Sequence, residues 1–188
     1  FMECVITPGF DRPALKMLCT KKNLRVIQLK MNSLESLEYA FKQVDGGMLV
    51  QQKDGKRISL KDLKVVTKKK LTAAQMDSLL FGWNVIRHIR SNAIMLVKGR
   101  RVVGIGCGQT SRIGSAKIAI DKAGKEAAGS LMISDAFLPH VDNVQAAARA
   151  GVKAIIQTGG SVADAEVIAE ADKHKIAMVV TGCRHFKH

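Results

Sequence analysis

Between Ile89 and Arg112 the chain reads I-R-S-N-A-I-M-L-V-K-G-R-R-V-V-G-I-G-C-G-Q-T-S-R, with the residues able to do chemistry near its two ends. Asn92 offers a hydrogen-bond donor and an acceptor, and Arg112 a planar fork of donors, a combination suited to an amide or carboxylate rather than a bare phosphate. Between them, Gly104, Gly106 and Gly108 alternate through an otherwise apolar strand. Strands gain from side chains, so glycine at every second position implies that backbone or a ligand comes close. A plain hairpin relieving its own crowding explains the pattern equally well, because Gln109 stands where the dinucleotide fingerprint needs its third glycine.

Further chemistry lies in short segments that follow apolar runs. Asp135, directly after Leu131–Ser134, is drawn inward, where a carboxylate needs a cation, a backbone N–H or a metal ion, or else serves as a cap. Phe137 and Pro139 form a flat, rigid wall on which a heterocycle can stack. Gly159-Gly160-Ser161 precedes a helix and offers N–H groups either to an anion or to its own capping side chains. Arg184 can hold a phosphate in bidentate fashion. Cys183, His185 and His188 match no standard metal spacing, so no metal centre is expected from them. His88 and His174 read as helix-surface residues, and no Ser-His-Asp or Cys-His arrangement follows from residue order.

The elements that must position these residues fall into two unequal parts. From Met2 to about Gln52 the pattern predicts a strand, a helix capped by Asp11 and opened by Pro13, a strand, and a two-stranded element around Gly46-Gly47. The chain is thus expected to begin inside folded structure. Eight Lys or Arg residues lie between Lys53 and Lys70, which reads as a solvated connector rather than a phosphate-binding groove. Thr72 then starts a helix with a capping box to Gln75, and Met76, Leu79, Leu80, Trp83 and Ile86 form its core stripe. Beyond the hairpin, helices near 111–128, 141–150 and 163–173 alternate with strands near 131–134, 153–157 and 176–181. Such alternation predicts a layered α/β domain with largely parallel strands, and ligands gather at the carboxyl ends of such strands.

Composition sets outer limits. A chain of 188 residues, 47% hydrophobic, supports one good core or one domain plus part of a second. It has no run of about eighteen apolar residues that would span a membrane. The four cysteines form no C-x-x-C pair, which fits a reducing cytoplasm better than a disulfide framework. A formal charge of +14 attracts anionic partners. With 4% aromatic residues and no RNP-like or basic-helix motif, small anions compete evenly with nucleic acid.

The series I-x-S-N-A-I-x-L, G-I-G-x-G-Q-x-S-R, S-D-A-F-x-P-x-x-D-N, G-G-S-x-x-D and R-H-F-x-H resembles, in order, the C-terminal half of the AICAR transformylases. The resemblance implies an α/β/α, cytidine-deaminase-like unit over 71–188, a partial unit of the same type over 1–58, and a basic connector at 59–70. It implies formyl transfer from 10-formyltetrahydrofolate to the 5-amino group of aminoimidazole carboxamide ribonucleotide (AICAR) in a cytoplasmic homodimer, with nucleic acid and membrane not among the partners. Asn92 would hold the formyl oxygen; Arg112 would read the carboxamide and Phe137 pack on the imidazole. Arg184, with His188 beside it, would bind the nucleotide. Ile113 and Pro139 would line a folate pocket, with Asp142 on the pterin's polar edge, and His140 replaces a second stacking Phe. Asp135 with Ser91 resembles a K⁺ site. The family's Lys-His-x-Asn-Pro motif finds no match here, so the chain alone is expected to bind but scarcely to catalyse. The competing readings are a noncatalytic nucleotide-binding or assembly partner derived from the enzyme, and a basic nucleic-acid module.

Overall fold

A computed structural model describes residues 2–30 and 39–187 and divides the chain into two compact units, Phe1–Lys53 and Asp54–His188. In the first, strand β1 (Cys4–Thr7) runs parallel to β2 (Arg25–Gln28). Helix α1 (Arg12–Cys19) connects them; Asp11 accepts a hydrogen bond from the Ala14 N–H at 2.7 Å, and a proline opens the first turn. Strands β3 (Tyr39–Val44) and β4 (Gly47–Gln52) form an antiparallel hairpin. Its Asp45-Gly46 turn requires the left-handed backbone that Gly46 adopts at φ 77°.

The second unit is built on a six-stranded sheet of order β5-β10-β9-β8-β6-β7. Its elements are β5 (Lys64–Val65), α2 (Ala73–Ile86), β6 (Ile94–Lys98), β7 (Arg101–Gly106), α3 (Arg112–Ala123), β8 (Leu131–Ser134), α4 (Asp142–Arg149), β9 (Ala154–Gln157), α5 (Asp164–Lys173) and β10 (Ala177–Val180). Alternation along the strands feeds two cores. Ile94, Leu96, Met132, Ile155 and Met178 face one way, toward residues of α3, α4 and α5. Met95, Val97, Ile133, Ile156 and Val179 face the other way, toward Leu79, Trp83 and Ile86 of α2. The architecture is therefore a layered α/β/α unit, as expected. The α2 capping box forms as read, with Thr72 and Gln75 bonding reciprocally at 3.2 and 3.0 Å.

Two expectations need correction. The sheet is mixed rather than largely parallel: β8, β9 and β10 pair in parallel, but β6 runs antiparallel to both β7 and β8, and β5 antiparallel to β10. The β6–β7 hairpin is legible in the sequence, but the alternation of helices and strands could not reveal that β6 also pairs antiparallel with β8 and β5 with β10. The 59–70 stretch is also more than a solvated connector, and the units divide at Lys53 rather than at 58. Residues 64–65 add a strand to the sheet, Ile58 and Thr67 are buried, and the Thr67 hydroxyl accepts the Met178 N–H at 2.8 Å. Lysines in this stretch remain exposed while Leu63, Val65, Val66 and Thr67 turn inward, so charge density masked an edge strand.

The glycines of β7 answer to backbone. A Cβ at Gly104 would lie 2.1 Å from the Ala119 carbonyl oxygen, and one at Gly106 1.9 Å from that of Ser115. Helix α3 thus lies directly on the strand, and no ligand is needed to explain the pattern. No described helix is long and apolar enough to cross a membrane.

Candidate functional site

The register of the sheet decides which loops meet. Ile94 at the start of β6 pairs with Ser134 at the end of β8 and with Gly106 at the end of β7. Residues 90–93, 107–112 and 135–141 therefore share one rim of the sheet, where β9 and β10 also end.

At that rim stands a buried ionic network. Asp135 is fully buried, and its Oδ1 accepts a hydrogen bond from Arg112 Nη2 at 2.8 Å while the Ser91 hydroxyl donates to Oδ2. The Asp135 backbone is held too: its N–H donates to Ala93 at 3.2 Å, and its carbonyl accepts the His185 N–H at 2.9 Å. Arg112 reaches this position from the first turn of α3, whose N-cap Ser111 accepts the Gly114 N–H. Its side chain is 7% exposed, so the charge is tolerable only because a carboxylate opposes it. Its Nε remains buried without a partner.

Asn92 follows Ser91 across a cis peptide bond and is half-buried. Its Nδ2 donates to the Gln109 carbonyl at 2.9 Å, and its own carbonyl accepts the Ser115 hydroxyl at 2.7 Å. One amide hydrogen is thereby fixed, which also sets the direction of the second. The β7–α3 loop thus aims Asn92 as well as Arg112.

Other candidates take varied positions. Phe137 and Pro139 are half-buried and flank Leu138, which is buried and donates its N–H to Gln157 Oε1 at 3.3 Å. Ile113, half-buried, packs against the core beneath α3 rather than standing free. Asp142 opens α4, its Oδ1 accepting both the N–H and the Nδ2 of Asn143 at 2.7 Å. His140 is exposed. Arg184 is exposed, its guanidinium carbon 4.9 Å from the Phe186 ring centroid. His188 lies outside the described residues. Gly159-Gly160-Ser161 proves to be a self-capped turn: Gln157 Oε1 takes the Gly159 N–H, Asp164 the Gly160 N–H and Ser161 Oγ the Ala163 N–H. Both glycine N–H groups are thus used internally, one of them by a carboxylate that stands where an anion would.

Sequence order missed a second constellation. Buried His185 places Nδ1 2.5 Å from Asp54 Oδ2, and its ring lies 4.7 Å from that of Trp83. Nothing in a Lys-rich run singles out Asp54 as the partner of a residue 131 positions later. Nearby, burial first and then the charges of Arg87 and Lys187 hold the His88 imidazole below its usual range. Burial pushes the Cys183 thiol up.

Among the described residues no group of three or more His, Cys, Asp or Glu could hold a metal. Both Asp135 oxygens are engaged, and Arg112 already supplies the counter-charge, so these side chains do not call for a K⁺ ion.

Comparison with known proteins gives the context. The family described as "AICARFT/IMPCHase bienzyme" matches residues 1–122. The chain is 49% identical over its whole length to the bifunctional purine biosynthesis protein PurH of Halalkalibacterium halodurans, of which it covers 37%, and 46% identical to that of Caldicellulosiruptor saccharolyticus, of which it covers 36%. It thus spans a little over one third of the length of these relatives. Acinetobacter baumannii RibD, form 2, aligns with a TM-score of 0.38 and 14% identity over 53% of this chain and 32% of that one, too slight a likeness to carry an argument. Whole-length identity approaching one half and the family match settle the kinship: the chain belongs to the AICARFT/IMPCHase bienzyme family.

Proposed function

We propose that this chain is a nucleotide- and folate-binding portion of a formyltransferase that acts in purine biosynthesis in the cytoplasm, within a homodimer. The single observation that carries the reading is the oriented Asn92 amide standing beside the buried Arg112–Asp135–Ser91 network at the sheet rim, in a chain that matches purine-biosynthesis proteins along its whole length.

In this reading the 5-amino nitrogen of AICAR attacks the formyl carbon of 10-formyltetrahydrofolate, giving a tetrahedral intermediate. The formyl oxygen gains charge as its C=O bond becomes single, and the free amide hydrogen of Asn92 stabilises it. Collapse re-forms the carbonyl and expels N10 of the folate, while the amine loses a proton and the leaving nitrogen gains one. Arg112, fixed by Asp135, offers its remaining N–H groups to the carboxamide. Phe137 packs on the imidazole, and Arg184 holds the phosphate. Pro139, Ile113 and Asp142 belong to the folate side, with Ile113 acting by supporting the wall from the core. His188 is assigned to the substrate by motif alone. No residue is assigned as general base, and no step is routed through a cation.

Two substitutions separate binding from chemistry. Arg184→Ala should weaken AICAR binding by about 1.5–3 kcal/mol, the range for a charge-assisted contact. Asn92→Ala should leave that affinity nearly unchanged and lower turnover roughly a hundredfold wherever turnover is measured. Calorimetry with AICAR and a folate-release assay give the two readouts; the opposite pattern would overturn the assignments.

A further inference from the structure

The Asp54–His185 contact lies one residue from Arg184, and the reading above gives it no role. His185 is 1% exposed, yet it sits in the last described stretch of the chain, in residues outside helix and strand. Segments outside regular secondary structure are ordinarily more loosely held than the elements they flank. This one is held from several sides: the His185 N–H donates to the Asp135 carbonyl at 2.9 Å, Ser91 donates its N–H to the Lys187 carbonyl at 2.9 Å, and the ring packs tilted against that of Trp83. Of the two ring nitrogens, Nδ1 meets Asp54 at 2.5 Å, whereas Nε2 is buried without a partner among the described residues. Among the described residues, Asp54 therefore supplies the one directional contact that fixes how the imidazole is turned. Trp83 supplies shape but no bond, since its Nε1 is also buried and unpartnered.

We propose that Asp54 is a positioning residue: by fixing the His185 ring against Trp83, it sets the course of residues 183–187 and so the place of the exposed Arg184 guanidinium at the rim. Asp54 itself touches no substrate. The proposal rests on the reading of Arg184 as the phosphate contact. It predicts a loss concentrated on the phosphate, because Asn92, Arg112 and Phe137 are held by side-chain and sheet contacts of their own and meet this stretch through the backbone bonds of Ser91 and Asp135.

The probe is the ratio of affinities for AICAR and for its riboside, which lacks the phosphate. Asp54→Ala should weaken AICAR binding about three- to tenfold, the equivalent of one hydrogen bond, and leave riboside binding unchanged. Asp54→Asn keeps an acceptor for Nδ1–H and should restore most of the ratio. Nitrogen NMR of the His185 ring gives an independent signature, a proton held on Nδ1 in the parent and released to tautomeric exchange in Asp54→Ala. An unchanged ratio in Asp54→Ala, or equal losses for both ligands, overturns the proposal. Asp54→Glu moves the carboxylate by one methylene and covers the case in which the alanine variant does not fold; parental AICAR affinity there also overturns it. Arg184→Ala separates the two levels. If its ratio collapses while those of the Asp54 variants stay parental, only the positioning role fails. If its own ratio is unchanged, the phosphate reading fails and takes this proposal with it.

Discussion

At the scale of residues, the buried Arg112–Asp135 pair contributes more to order than to net stability. Removing two charges from water costs about as much as their attraction returns, but stranding one of them costs far more. Asp135→Ala should accordingly destabilise the second unit by about 3–5 kcal/mol in urea denaturation, because it leaves a guanidinium that is 7% exposed without its counter-charge. Ser91→Ala, which deletes a neutral donor, should cost about 1 kcal/mol. Near-equal effects of the two would show that Asp135 does not carry the charge of Arg112. Arg112 was legible as a donor fork closing the glycine-rich segment and Asp135 from its place directly after an apolar run; their mutual bond was not. Arg112 read as a fork turned toward a ligand, and the structure commits part of that fork inward. Asp54 shows the limit more sharply, since its partner is 131 residues away and neither belongs to a periodic pattern.

Among elements, the contact of β7 with α3 sets the geometry of the rim. With no side chain at Gly104 or Gly106, strand and helix backbones approach closely, and the loop between them places Gln109 under Asn92 and Arg112 beside Asp135. Gly106→Ala puts a methyl group against the Ser115 carbonyl, so α3 must shift; the expected cost is about 1–3 kcal/mol or more, measured by denaturation. Binding of AICAR should fall with it, and unaltered stability would contradict this close packing. Between α4 and α5, Glu170 accepts hydrogen bonds from Gln145 at 3.0 Å, His174 at 3.0 Å and Lys173 at 3.3 Å, which hold its carboxyl below the ordinary range. A depressed folded-state value means that the stabilisation is present above the unfolded-state pKa and is lost as pH falls through the folded one. Stability should therefore decline below roughly pH 4, and Glu170→Gln should flatten that decline in acid titrations followed by circular dichroism. Helices and strands of the second unit were legible because each spans a full period of hydrophobic alternation. Strand β5 escaped because two residues within a run of lysines carry no period. The mixed strand directions escaped because pairing partners are chosen across the sheet.

For the whole molecule, the first unit presents the clearest demand for company. Its β3–β4 hairpin exposes Tyr39, Phe41, Met48, Leu49 and Val50 by 47–59%. Apolar side chains grouped on one hairpin mark a surface that is covered in use. The chain should sediment as a dimer or larger at micromolar concentration, and Phe41→Lys with Leu49→Lys should shift it toward monomer. A monodisperse monomer of the parent would contradict this expectation. A net charge of +14 acts at the same scale, drawing anionic ligands toward the molecule in a way that weakens as salt rises.

The rim opposite the site has a consequence for engineering. There the chain reverses at Gly99, Gly129, Gly151 and Lys175, each in the left-handed region of backbone space. Gly99 stands in open space, with nothing within 4 Å of where a Cβ would lie. Everything to which the chemistry is assigned lies a full strand length away. A short peptide inserted beside Gly99, with that glycine kept in place because its φ of 55° strains any other residue, would therefore ride on the molecule as a passenger, giving a tether whose presence the proposed binding rim does not feel.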